Sequence, residues 1–114
     1  MDLAAENCIS LQGGESGLTD SEIQELLPQV PQWGIKEVDG EKMLEKVFPF
    51  KNFAEAMEFT NEIGRIAEEQ DHHPRIITEW GKVTVAWWTH KIGGLHKNDF
   101  VMAAKTDRLA KSYP

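Results

Sequence analysis

At 114 residues, with 40% hydrophobic and 27% charged positions, the chain has room for one core but not for two ordinary domains, and its usage suggests neither disorder nor a fibrous repeat. Its 19 Asp and Glu against 12 Lys and Arg give a formal charge of −7, which repels phosphate backbones and anionic lipid surfaces, so neither direct nucleic-acid nor membrane binding is expected. The lone Cys8 cannot close an internal disulfide, no apolar run approaches the roughly 18 residues of a membrane helix, and the start lacks a basic and apolar leader, which together predict a cytoplasmic protein.

Residues 1–17 are small and polar and carry Gly13, Gly14 and Gly17, a composition expected to form a flexible tail ahead of a domain at 18–114. Thr19 or Asp20 can cap a first helix, with Glu22 in its first turn and Ile23, Leu26 and Leu27 on its apolar face; Pro28 and Pro31 end it. Residues 33–38 and 42–48 flank Asp39-Gly40, which suits the positive φ angles of a tight turn, and so predict an antiparallel hairpin. Asn52 then caps a long helix, with Phe53, Met57, Thr60, Ile63 and Ala67 at helical spacing.

After Pro74, residues 75–80 and 82–89 form a second hairpin about Gly81. Gly93-Gly94 breaks the strand, and a last helix over 96–110 places Asp99, Met102, Ala103, Thr106, Leu109 and Ala110 on one stripe. The order α-β-β-α-β-β-α predicts an α+β fold: a four-stranded antiparallel sheet with three helices on one face.

The segment Glu68-Glu69-Gln70-Asp71-His72-His73-Pro74 falls at the end of the long helix, where its three acids meet the negative end of the macrodipole. Carboxylates in that unfavourable place can hold and charge the adjacent imidazoles; equally, the histidines can be simple caps and the acids solvated. Pro74 biases His73 toward extended backbone, so His72 and His73 are expected to point to opposite sides and to have different tasks. Strand alternation places His90 with Thr84, Ala86 and Trp88, at the strand's end. Asp99 opens the last helix, where an acid also favours the helix N-terminus, and His96 reads as a surface or capping residue. Trp80, Trp87 and Trp88 can wall a flat heterocycle, although at least two are expected in the core. There is no H-E-x-x-H, no pair of cysteines and no glycine-rich phosphate loop, so neither a metal nor a nucleotide cofactor is expected.

The combination Glu68-x-x-x-His72-His73-Pro74, Trp80, Thr89-His90 and Asp99 resembles the pterin-4a-carbinolamine dehydratase signature, and the resemblance spans residues 18–110. It implies a hydro-lyase that converts 4a-hydroxytetrahydropterin to quinonoid dihydropterin and water, recycling the pterin used by aromatic amino acid hydroxylases without metal or cofactor. On that resemblance, His72 and His90 form the acid/base pair and His73 binds and orients the substrate near the hydroxyl. Asp71, Pro74, Thr89, Lys91 and Ile92 line the pocket, and Glu68 and Asp99 orient histidines. The chain departs from the pattern at Ile76, where an aromatic residue is common, and at Asn98, where a basic one is. The resemblance also implies a homodimer or homotetramer. It leaves a different class of function open, that of a non-catalytic dimerisation or assembly cofactor for a partner protein.

Overall fold

A computed structural model describes residues 2–11 and 15–113. Helix α1 (Asp20–Leu26) begins with a reciprocal cap: Thr19 Oγ1 accepts from the Glu22 N–H at 3.2 Å, and Glu22 Oε1 accepts from the Thr19 N–H at 2.8 Å. A 3-10 turn carrying Pro28 ends it, and Ile23 is its buried residue. Strands β1 (Gly34–Val38) and β2 (Glu41–Pro49) then pair through Val38 and Glu41, with Asp39 and Gly40 at φ 51° and 80° in the turn.

Asn52 Oδ1 accepts from the Glu55 N–H at 2.8 Å and starts α2 (Phe53–Gln70). Strands β3 (Arg75–Glu79) and β4 (Lys82–Trp87) follow, with Gly81 at φ 84° between them. Helix α3 (Lys97–Ala110) closes the chain, and the antiparallel sheet runs β1-β2-β4-β3. Leu44, Phe48, Val83, Val85 and Trp87 point from its central strands into the core against Phe59, Ile63, Phe100 and Met102. On the opposite face Val47 and Ile77, both cross-strand neighbours of Thr84, are 51% and 44% exposed. No helix among the described residues is long and apolar enough to cross a membrane.

Three expectations need correction. The buried stripe of α2 is Ala56, Phe59, Ile63, Ile66 and Ala67; it shares its last turns with the expected stripe, but Phe53 and Met57 lie off the core at 46% and 39% exposure. Strand β4 stops at Trp87 rather than Thr89. Within the expected tail, residues 2–11 are tied to the domain: Leu3 and Ala4 are buried, and a 3-10 turn over Leu3–Ala5 lies against α3. That cover explains why Phe100, Val101, Met102 and Ala103 are buried in succession on a helix where one stripe was expected. Gly13 and Gly14 lie outside the described residues.

Candidate active site

Helix α2 ends on a non-glycine residue in the left-handed region. Asp71 has φ 52°, its N–H meets the Glu68 carbonyl at 3.4 Å, and the His72 N–H returns to the Ala67 carbonyl at 3.1 Å. This paired closure satisfies the last carbonyls and turns the chain sharply away from the helix axis, which is how His72 and His73 come to leave it side by side. Asp tolerates such a φ better than most residues.

The two histidines take separate partners, as extended backbone before Pro74 requires. His72 Nε2 is 2.6 Å from Asp99 Oδ1, its ring stacks on Trp87 with centroids 5.8 Å apart and planes 8° apart, and its side chain is 11% exposed. His73 Nε2 is 2.5 Å from Glu68 Oε2, with both side chains largely in solvent. Glu68 therefore binds an imidazole at the helix terminus, the arrangement that makes its locally unfavourable position useful.

Asp99 is fully buried, and its Oδ2 accepts from Thr89 Oγ1 at 2.7 Å and from the His96 N–H at 2.9 Å. Those two donors leave Oδ1 to accept from His72 Nε2–H, which fixes the ring orientation and presents Nδ1 as the open nitrogen. Asp99 thus caps α3 and hydrogen-bonds His72 at once. His96 caps the same helix, its Nδ1 accepting from the Asn98 N–H at 3.0 Å.

His90 reaches the site by a different route from the alternation expected. Beyond β4, Thr89 and Gly94 bond to each other's backbone, and His90–Ile92 form a 3-10 turn closed by Gly93 at φ 66°. The loop, not a strand face, carries His90. Its side chain is 85% exposed, and Nδ1 lies 3.3 Å from Glu41 Oε1, close enough for an ion pair but not aligned as a hydrogen bond.

Together these segments border a cleft of about 460 Å³ that holds Asp71, His72, His73, Thr89, His90 and Lys91. Among the other predicted site residues, Pro74 and Ile92 do not line it, and Glu68 and Asp99 stand behind the histidines they bind. Of the three tryptophans considered as a wall, Trp88 lines the cleft, Trp87 is core, and Trp80 is 73% exposed elsewhere. The rest of the lining is Asn98, which departs from the family pattern, together with Gln70 and Cys8 to Leu11 of the N-terminal segment, to which the sequence did not point. Burial, and after it the charge of Asp99, pushes the Cys8 thiol up to about 11, partly offset by Lys105. Among the described residues no three His, Cys, Asp or Glu side chains converge as metal ligands would.

A family model described as "Pterin 4 alpha carbinolamine dehydratase" matches residues 16–109. Proteins of Marinobacter nauticus and Nitrosococcus oceani, each named "Putative pterin-4-alpha-carbinolamine dehydratase", are 54% and 56% identical to the chain. The first aligns over 94% of this chain and 96% of its own length, the second over 96% and 97%. Among solved structures, a transcriptional coactivator/pterin dehydratase from Brucella melitensis is 34% identical, with a TM-score of 0.74 over 83% of this chain and 99% of its own. A pterin dehydratase-like protein described as a RuBisCO assembly factor in the alpha-carboxysome shares the fold, with a TM-score of 0.59 at 24% identity over 69% of this chain and 89% of its own.

Proposed function

The chain belongs to the pterin-4a-carbinolamine dehydratase family, and on that premise we propose that it is a hydro-lyase removing water from a 4a-hydroxytetrahydropterin. The observation that carries the reading is the convergence of His72, His73 and His90 on one cleft, with His72 oriented by a buried carboxylate. Dehydration breaks the C4a–O bond as the N5–H electron pair forms C4a=N5. One group must protonate the departing hydroxyl while another takes the proton from N5, so the proton count closes without a cofactor.

His72 Nδ1 and the exposed imidazole of His90 serve as that pair, and His73, steadied by Glu68, binds the ring near the hydroxyl. Asp71, Thr89 and Lys91 contact the substrate from the same walls. Trp88 supplies an aromatic surface beside it. The cytoplasm, where a single unpaired Cys8 is at home, is the compartment that fits. The test is a stopped-flow assay of 4a-hydroxytetrahydropterin dehydration with purified protein; a rate no faster than the uncatalysed reaction would remove the reading.

A second, compatible reading is self-association or partner binding. The sheet leaves the edges of β1 and β3 without a neighbouring strand among the described residues, and its open face exposes Val47 and Ile77. Names of structural relatives mention coactivator and assembly roles. Light scattering is expected to give a dimer or tetramer, and a monomer at high concentration would reject self-association. His72 and His73 precede β3 and His90 follows β4, outside the edge strands themselves, so a folded monomeric edge variant is expected to stay active.

A further inference from the structure

The best-anchored feature outside the histidine machinery is the N-terminal segment. Its far end is pinned to α3: Leu3 and Ala4 are 2% and 8% exposed, Lys105 Nζ donates to the Ala4 carbonyl at 3.0 Å, and Lys97 pairs with Glu6 at 3.0 Å. Its near end is gripped three times. The Cys8 N–H donates to Gln70 Oε1 at 2.7 Å; the Asn98 side-chain amide bonds both the N–H and the carbonyl of Ile9, at 3.0 and 2.9 Å; and Lys91 Nζ donates to the Leu11 carbonyl at 3.1 Å.

Each gripping residue is close in sequence to a group that the dehydratase reading uses: Gln70 lies two residues before His72, Asn98 adjoins Asp99, and Lys91 adjoins His90. One extended segment thus ties together the end of α2, the start of α3 and the loop after β4, and Cys8, Ile9, Ser10 and Leu11 face the cleft. We propose that residues 2–11 are a strap forming one wall of the substrate cleft, and that the strap sets how tightly a reduced pterin is held. The inference rests on the dehydratase reading above. It also lies outside the part of the chain that the family model covers, which begins at residue 16.

If the strap contacts the bound ring, ligand and strap stabilise each other reciprocally. Hydrogen exchange at the Cys8 and Ile9 amides of the unaltered protein, with and without 7,8-dihydropterin, reads that coupling directly. Bound pterin is expected to slow both amides at least about fivefold, and no slowing in a protein that binds the pterin would overturn the proposal. Leu3→Asp, which puts a charge into the buried anchor away from the cleft, is expected to release the strap and raise KM, and the Kd of 7,8-dihydropterin, about tenfold while kcat changes less than about threefold.

A folded Leu3→Asp protein whose Cys8 and Ile9 amides exchange freely but whose KM is unchanged would also overturn the proposal. Should that variant lose its circular dichroism signal, the exchange experiment on the unaltered protein decides. An unaltered protein that neither turns over the hydroxylated substrate nor binds 7,8-dihydropterin would remove the dehydratase reading itself. Turnover and binding with indifferent strap amides would remove the strap alone.

Discussion

Two walls of one cleft hold their imidazoles in opposite ways. On one, His72 is 11% exposed, stacked on Trp87 and 2.6 Å from a buried carboxylate that two further donors pin in place. On the other, His90 stands 85% exposed on a 3-10 turn, its Nδ1 3.3 Å from Glu41 Oε1 without hydrogen-bond alignment. The contrast suggests a division of labour: a fixed group can define the reacting geometry, while a solvated one can exchange its proton with water between turnovers.

Replacing both His72 and His90 with alanine tests the shared premise and carries the largest expected effect, a fall in kcat of at least about 10³-fold with the circular dichroism spectrum retained. Turnover at the parent rate in that folded variant would end the acid/base assignment. Asp99→Asn acts on the fixed wall alone. It keeps the shape but replaces the acceptor pattern that fixes the His72 ring, so kcat is expected to fall about 10- to 100-fold, with lower thermal stability because His72, Thr89 or the His96 N–H loses its partner. If Asp99→Asn altered KM and left kcat untouched, the orienting role would be wrong.

On the exposed wall the same kind of change is expected to matter less. Glu41→Gln should shift kcat by less than about threefold, because the His90 side chain is 85% exposed and the contact is not aligned as a hydrogen bond, which leaves a weak pair that salt screens from the His90 side. Glu68→Gln is expected to raise KM a few-fold, roughly threefold, through His73, with little change in kcat. A Glu41→Gln loss as large as that of Asp99→Asn, persisting at high salt, would erase the difference between the walls.

The contrast between the walls also tracks what could be read from sequence. The capped helix starts at Thr19 and Asn52, the Asp39-Gly40 and Gly81 turns and the order of elements are local signals, since each depends on residues within one turn of chain. The motif also named His72 and Asp99, which the structure brings within 2.6 Å of each other, and His73, which lines the same cleft as His72. The end of β4 was hidden because residues 87–89, Trp-Trp-Thr, suit a strand, and only the closure of Thr89 on Gly94 stops it.

The strap was hidden for a stronger reason: its bonds join Cys8 to Gln70, Ile9 to Asn98 and Ala4 to Lys105, partners 62, 89 and 101 positions apart. Most of the strap's grips fall on its backbone N–H and carbonyl groups, which almost every residue carries, so no pattern of side chains foretells them. Asn98 departs from the family pattern, and the structure gives it a task, since its amide holds Ile9.

Cys8 offers the smallest and sharpest probe of the fixed wall. Its thiol lies beside the cleft, half-buried, with its pKa pushed up to about 11 by burial first and by the negative charge of Asp99 second. Because the folded value lies above the ordinary 9.0, the folded state favours the neutral thiol: that contribution to stability is whole below about pH 9 and is lost as pH rises through about 11. At neutral pH the group is therefore a thiol, and it should react with iodoacetamide far more slowly than a free cysteine. Thiolate absorbance near 240 nm, in a titration corrected with a Cys8→Ser control, should give a midpoint near 11 in the parent protein. In Asp99→Asn the midpoint should move down only modestly, because burial, the larger cause, remains in place. In Glu41→Gln, where no charge near Cys8 changes, it should not move. A parent midpoint near the ordinary value would mean that Cys8 is more open to water than the packed strap allows, and equal shifts in both variants would mean that the thiol does not distinguish the two walls.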